Sequence, residues 1–310
     1  MKSESLQISR PDRADMTRAA RFLIAAQLGE TLGDAQAQVL LARLRADGAR
    51  LLWACRGSTP VAAAAILPSA GNVGMLLLSP LRVGGVEPVA LAATVAAAAE
   101  ESLCHGTAFV QALTDPCAAE ESEVLLLAGM TAAATLSYMR LDLARPSGPP
   151  TPPPVGVSWR NGPDFSDAQL SAVIRASYEQ SLDCPEILGV RRGEDVLAGH
   201  RANGTYRRES WWLAFIRDQA AGCILVNDSL PPGGGEVAYL GVGVEFRRRG
   251  LGRFLLEKAA FQARQRGLKY LALAVDEHNA PGMEIYRGAG FSLTHRRVVW
   301  VKLRAKTPVC

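Results

Sequence analysis

Residues 236–252 read EVAYLGVGVEFRRRGLG, and the rest of the chain is arranged around them. An apolar strand runs into three arginines and then into glycines that open a helix, because the following stretch, FLLEKAAFQARQRG, is amphipathic. Arg247, Gly250 and Gly252 fit the pattern Arg/Gln-x-x-Gly-x-Gly/Ala. A strand that feeds a glycine turn into a helix N-terminus makes an anion site. The first helical N–H groups have no intrahelical partner, and the helix dipole adds partial positive charge. Gly250 and Gly252 let backbone approach the anion, and the arginines add charge and directional donors.

Working outward, the chain has 310 residues, which implies about two domains. It is 48% hydrophobic and 21% charged, the composition of a globular chain with a core. A net charge of +4 without a basic stripe argues against nucleic acid as a partner. The start, MKSESLQISRPDR, lacks a signal-peptide core, and the run Val89 to Ala99 is too short to span a membrane, so the protein is expected to be cytoplasmic with no membrane partner. Six cysteines show no CxxC pairing, and the four histidines form no metal-ligand spacing. Neither a disulfide frame nor a metal site is expected.

The periodicity predicts strands and helices in an order that occurs twice, on either side of a segment rich in proline. Residues 144–155 form that linker, ARPSGPPTPPPV, extended and unable to join a core. The first copy includes a second helix over Asp34 to Arg45 and ends on a strand from Thr135 to Leu143. The repeat is exact in three places: Gly106 and Gly267, Asp115 and Asp276, and Gly129 and Gly290 all differ by 161. GTAFVQALTD thus overlays GLKYLALAVD, and an internal repeat of this size means two copies of one domain. The expected domains are 1–143 and 156–310.

The second copy carries a further signature, Asn279 followed by Tyr286-Arg287-Gly288-Ala289-Gly290-Phe291. With the glycine turn, the preceding strand and the β-α-α-β-β-β-α-β-α-β order, it resembles the GCN5-related N-acetyltransferase (GNAT) superfamily over roughly residues 156–304. The resemblance implies an α/β (α+β) fold: two tandem GNAT-type domains, each a mixed, mostly antiparallel sheet of six or seven strands flanked by helices. It implies that the sheet splays between its fourth and fifth strands. Acetyl-CoA would lie in that V as acyl donor, its pantetheine along the fourth strand and its pyrophosphate on the glycine turn. The cofactor contacts implied are Leu240, Gly241, Val242, Val244, Arg247, Arg248, Arg249, Gly250, Leu251, Gly252, Arg253, Asn279, Met283 and Tyr286.

Transfer to an amine needs a base, a stabiliser for the carbonyl oxygen and an acid for the thiolate. For the oxygen, N–H groups near Leu240 to Val242 are candidates, with the glycines at 241 and 243 either permitting a distortion or merely fitting close packing. Tyr286 is the candidate acid, against a core tyrosine. Glu236 is the candidate base, against a solvated strand-end glutamate. Tyr239, three residues on, faces away from Glu236 unless the strand is bulged. Asn279 either contacts cofactor or caps a helix. Asp276, which recurs as Asp115, reads as a turn residue, and Cys184 as a buried thiol. Acidic residues between 179 and 195, Asp183 among them, are either an acceptor-amine subsite or a solvated helix face. One of Trp211 and Trp212 belongs in the core, and the other is a candidate for lining the acceptor cleft.

The first copy lacks these groups. Ala118 and Leu125 stand where Asn279 and Tyr286 stand, and RVGGVEPV replaces the arginine turn. It reads as a degenerate, structural half packed on the active one as an intramolecular pseudo-dimer, with a backbone cradle at Gly84-Gly85 as the alternative. The function expected is transfer of an acetyl group to a primary amine of a small molecule or protein; a longer acyl donor shares the same residues. A non-catalytic acyl-CoA-binding or sensing module is the competing reading.

Overall fold

The computed structural model describes residues 5–24, 41–42, 44, 49–81, 85–144, 152–230 and 232–304. Most of the expected helix from 34 to 45, most of the linker, and Gly84 lie outside them. The chain divides into two compact units, residues 1–133 with 298–310, and residues 134–297. These units differ from the expected boundaries at 143 and 156. The strand before the linker belongs to the second unit, and the end of the last strand belongs to the first.

In the first unit, β1 (Leu6–Ser9), β2 (Arg50–Arg56), β3 (Thr59–Ser69) and β4 (Val73–Leu78) pair antiparallel in sequence order. β4 then pairs parallel with β5 (Phe109–Thr114), over Val73–Met75. The sixth strand is supplied by β12 (Ser292–Leu303), whose residues Val298 to Leu303 run antiparallel to β5. Helices α1 (Met16–Ile24), α2 (Pro88–Cys104) and α3 (Ala119–Leu127) accompany these strands. The alanine-rich face of α2 packs on Leu52, Ala62, Ala64 and Ile66, with Trp300 of β12 closing the same core. Trp300 donates its indole N–H to Thr114 Oγ1 at 2.9 Å, so the exchanged strand is held by side chain as well as by ladder.

The second unit repeats the plan. β7 (Val157–Asn161), β8 (Trp211–Ile216), β9 (Gln219–Asp228) and β10 (Gly234–Val242) are antiparallel, and β10 pairs parallel with β11 (Tyr270–Asp276). Here β6 (Thr131–Asp142) is the sixth strand, antiparallel to β11. Its helices are α4 (Asp167–Tyr178), α5 (Gly193–Ala202), α6 (Leu251–Gln265) and α7 (Ala280–Gly288). α4 starts where Ser166 and Gln169 form a reciprocal capping box. α6 covers one face of the sheet through Leu251, Leu255 and Ala259. α4 and α5 cover the other, where Trp211 is fully buried and donates to Asn227 Oδ1 at 2.8 Å. Trp212 faces α6 and carries Lys258 on its ring at 4.8 Å, so it lies on the side away from α4 and α5.

The repeat has a physical basis at its fixed points. Gly106, Gly267, Gly129 and Gly290 all follow helices with positive φ, where a side chain is disfavoured. Asp115 accepts from the Cys117 N–H and Asp276 from the His278 N–H, the same turn in both copies.

Candidate active site

The site lies in the second unit, where β10 and β11 part. Their parallel register holds at Gly234, Gly235 and Glu236, opposite Tyr270, Leu271 and Ala272, and stops there. From Val237 to Val242, β10 continues to pair with β9 alone. A strand with one free edge next to a diverging neighbour offers N–H and C=O groups to an extended ligand. The V expected between the fourth and fifth strands is therefore present.

Glu236 stands at the fork and is half-buried. Loss of hydration pushes its carboxyl above the ordinary glutamate range, only partly offset by the Asn203 amide, which donates to Oε1 at 3.4 Å. A fully solvated strand end is therefore not its environment. The register of β10 against β9 slips between Val237 and Tyr239, which makes Ala238 the extra residue of a bulge. The bulge turns Glu236 and Tyr239 toward the same helices: Glu236 meets Asn203 at the end of α5, and the Tyr239 ring lies 5.0 Å from His200 in α5. Tyr239 also shares a 2.6 Å hydrogen bond with Ser177 Oγ of α4. The bulge falls at Ala238, not at Gly241. Gly241 is in register with Cys223, and a Cβ there would stand 2.6 Å from both Ser177 Oγ and the Tyr239 ring, so close packing is what requires that glycine.

Tyr286, on α7, is 8% exposed, and burial followed by the charge of Asp183 drives its hydroxyl far above the usual range for a phenol. It is held as a neutral donor. Asn279 caps α7 by accepting from the Gly282 N–H at 3.1 Å, and its side chain also hydrogen-bonds Asp183. Asp183 accepts from the Asp276 N–H at 3.0 Å, and its carboxyl is pushed up by burial and by the Asp276 charge. Asp276, 1% exposed, accepts from the N–H groups of Cys184 and His278. Its turn role thus stands, and it pins the loop after α4. His278 is exposed at the surface. The Cys184 thiol is pushed far up by burial and neighbouring carboxylates, as expected of an inert thiol.

The turn at the opposite end of β10 has Arg248 at φ +64° and Gly250 at φ +77°, the N-cap of α6. Leu251, Gly252 and Arg253 form the first turn, whose N–H groups lack intrahelical partners. Arg248 and Arg249 are exposed; Arg249 lies 5.8 Å from the Phe246 ring, and Arg253 pairs with Glu257 at 2.7 Å. Val244 belongs to the short 3-10 turn before Arg247, and Met283 is buried in α7. Free strand edge, open helix turn and flanking cations fit an extended, phosphate-bearing ligand. Arg247 differs from expectation. Its guanidinium donates to the carbonyls of Val242, Gln180, Ser177 and Glu179.

Residues 177–291 match the model of the acetyltransferase (GNAT) family. Over that stretch, less than half of the chain, the protein is similar to the GNAT acetyltransferases. A segment is 36% identical over 85 residues to a protein from Thermobifida fusca named mycothiol acetyltransferase, covering 27% of this chain and 25% of that relative. The matched segment thus spans about a quarter of the relative's length. Two solved GNAT structures share the fold over nearly the whole chain. A GCN5-related N-acetyltransferase from Sphaerobacter thermophilus has a TM-score of 0.63 at 19% identity, over 96% of each chain. A tandem GNAT protein from the clavulanic acid biosynthesis pathway has 0.54 at 16%, over 97% of this chain and 99% of that one.

Two residues near the candidate site escaped the sequence reading. Tyr138 lies on β6, before the linker, and its hydroxyl is pushed up by burial and then by the Glu236 charge; its ring stacks on His295 at 4.3 Å. A boundary at 143 assigned it to the wrong half. His200 hydrogen-bonds the backbone of Ala238, and its pKa falls to about 4 through burial and the nearby Arg191 charge. No motif marked it. In the first unit the fork recurs, with Met75 opposite Gln111 at the last parallel pair. The α2 N-cap is Glu87, doubly hydrogen-bonded to Arg56. A carboxylate thus already stands at that helix N-terminus. Among the described residues, no acidic, histidine or cysteine group could hold a metal, and no helix is long and apolar enough to cross a membrane.

Proposed function

We propose that this protein is an N-acetyltransferase that moves the acetyl group of acetyl-CoA directly to a primary amine, with residues 134–297 doing the chemistry. The observation that carries the reading is the unpaired edge of β10 beyond Glu236, which ends at the open turn of α6 and stands in one unit with the buried Tyr286. Acetyl-CoA supplies the thioester. The backbone of Leu240, Gly241 and Val242 receives its arm, and Arg248, Arg249, Gly250, Leu251, Gly252 and Arg253 surround the phosphates. Val244, Asn279 and Met283 border the arm.

Glu236, with its raised carboxyl, takes the proton of the incoming ammonium, directly or through water. N–H groups of Leu240 to Val242 steady the carbonyl oxygen as it gains charge. Tyr286, kept neutral by burial and by Asp183, gives its proton to the departing sulfur. Competing water is limited by the packing of Tyr239 on Ser177, Tyr178 and His200. The first unit is structural, since Met75, Ala118, Leu125 and Glu87 stand where base, cap, acid and phosphate turn would be.

The acceptor is a primary amine on a small molecule or protein. Because the matched relative is named mycothiol acetyltransferase, a screen of amines begins with mycothiol-related amines. The test is release of free CoA with stoichiometric N-acetylated product, by mass spectrometry. In Tyr286→Phe, kcat should fall by about 100-fold or more while acetyl-CoA affinity stays within a factor of three. Full activity would remove Tyr286 from the mechanism. An acetyl-CoA complex that acetylates no amine would favour a binding module.

A further inference from the structure

We infer that Arg247, the first residue of the glycine-turn signature, is a positioning residue of the acceptor side and not a ligand of the phosphates; the word acceptor rests on the function proposed above. Its guanidinium is already used. Nε donates to Val242 O at 3.2 Å, Nη1 to Gln180 O at 3.1 Å, and Nη2 to Ser177 O at 3.0 Å and Glu179 O at 2.7 Å. Those bonds take four of the five N–H donors that a guanidinium carries. Three of the acceptors lie at the C-terminal end of α4, where carbonyls lack helical partners and the dipole favours a cation. Arg247 therefore caps α4, and its guanidinium is committed to these carbonyls.

The segment it holds bridges the diverging ends of β10 and β11. From Glu179 to Cys184 the backbone turns sharply, with Gln180 at φ +51° and Cys184 at φ +48°. Its far end is tied to β11 and α7: Asp183 accepts from the Asp276 N–H and bonds Asn279, and the Cys184 N–H donates to Asp276. One end of the segment is thus fixed to the end of β10, and the other to the end of β11. Ser177, the partner of the Tyr239 hydroxyl, is held by the same guanidinium. Removing the guanidinium frees the anchor at Ser177, Glu179 and Gln180, leaves the segment held only at Asp183 and Cys184, and keeps Gly250, Gly252 and the α6 turn in place.

The experiment uses the full chain with Arg247→Gln and Arg247→Lys, neither of which can span four carbonyls. Hydrogen exchange is followed in the ligand-free protein. The amides of Ser181, Asp183 and Cys184, now bonded to Tyr178 O, Ser181 Oγ and Asp276, should exchange at least tenfold faster, with α6 amides unchanged. Acetyl-CoA affinity by calorimetry should stay within fivefold. With the primary amine that the screen above finds acetylated as probe, its KM should rise at least tenfold while kcat stays within threefold, a split that general loss of structure would not produce. An acetyl-CoA affinity reduced by more than fivefold, or unchanged exchange in 179–184, overturns the assignment. Where either variant fails to fold, Asp183→Asn breaks the other anchor and should give the same faster exchange over 181–184 with α6 amides unchanged. If the wild-type chain binds no acetyl-CoA, the proposed function fails, and exchange alone decides what Arg247 holds.

Discussion

Gly252→Ala separates the cofactor reading from a purely structural one, because its effects on stability and on binding have opposite signs. A Cβ built on Gly252 meets Ile285 Cδ1 at 3.4 Å and Val242 Cγ2 at 3.8 Å, ordinary van der Waals distances. Nothing in the protein has to move. Gly252 lies in the first turn of α6, and exchanging glycine for alanine in a helix is favourable by up to about 1 kcal/mol. The ligand-free melting temperature should hold or rise by about 2–4 °C for a unit of this size. The added methyl points between the end of β10 and α7, into the region where the pyrophosphate would meet the helix turn. Losing one charge-assisted hydrogen bond to backbone N–H costs about 1.5–3 kcal/mol, which weakens acetyl-CoA roughly 10- to 150-fold. Thermal melts with and without acetyl-CoA, together with calorimetry, read both quantities. Wild-type affinity in Gly252→Ala would refute the close approach assigned to this turn. A fall of several degrees in the ligand-free melting temperature would refute the steric argument.

Further outcomes are expected. Wild-type kcat/KM should rise with pH through an apparent pKa above the usual carboxylate range, because burial disfavours the Glu236 charge, and Glu236→Gln should flatten that limb and lower the rate. A raised folded-state pKa gives stability that is complete at low pH and lost as pH rises through it, so Glu236→Gln should melt higher than wild type at pH 7 in ligand-free scans. His200 has the opposite sign. With its pKa depressed from 6.5 to about 4, its contribution is complete above pH 6.5 and lost as pH falls toward 4. Roughly 3 kcal/mol is at stake, and His200→Gln should flatten acid denaturation measured by urea titration at stepped pH. Calorimetry should find one acetyl-CoA per chain, since Glu87 and Arg56 stand at the helix start of the first unit; two equal sites would contradict that account.

The parts legible in the sequence were those fixed by short-range stereochemistry. The glycines after four helices need positive φ, and the two aspartates close the same turn, so both survive as a constant offset. The fork followed from the family resemblance that the strand, the glycine turn and the signature of α7 carry together, and that signature also singled out Tyr286 and Asn279. Strand exchange left no local mark. β6 and β12 are the same length and begin 161 residues apart, so either could complete either sheet as far as pattern is concerned. Tyr138 was misplaced for that reason. The bulge at Ala238 was equally silent, because alanine neither demands nor forbids one. The carbonyls that Arg247 meets were not legible, because a guanidinium fork suits a phosphate and a set of carbonyls equally well, and spacing cannot say which it meets.

The exchanged strand also sets an order on how the protein can come into being. The first sheet is closed by Val298 to Leu303 against Phe109 to Thr114, pairs separated by 298 − 114 = 184 to 303 − 109 = 194 residues. During synthesis at about 5–20 residues per second, β5 waits roughly ten to forty seconds for its neighbour, with one edge unpaired. The second sheet takes β6, made before the linker, so its final strand exists before its other five. The half that is translated first is therefore the half that is finished last. A nascent chain that has emerged through the last helix, at residue 288, but not to residue 298 holds every strand of the candidate catalytic unit and lacks the strand that completes the first sheet.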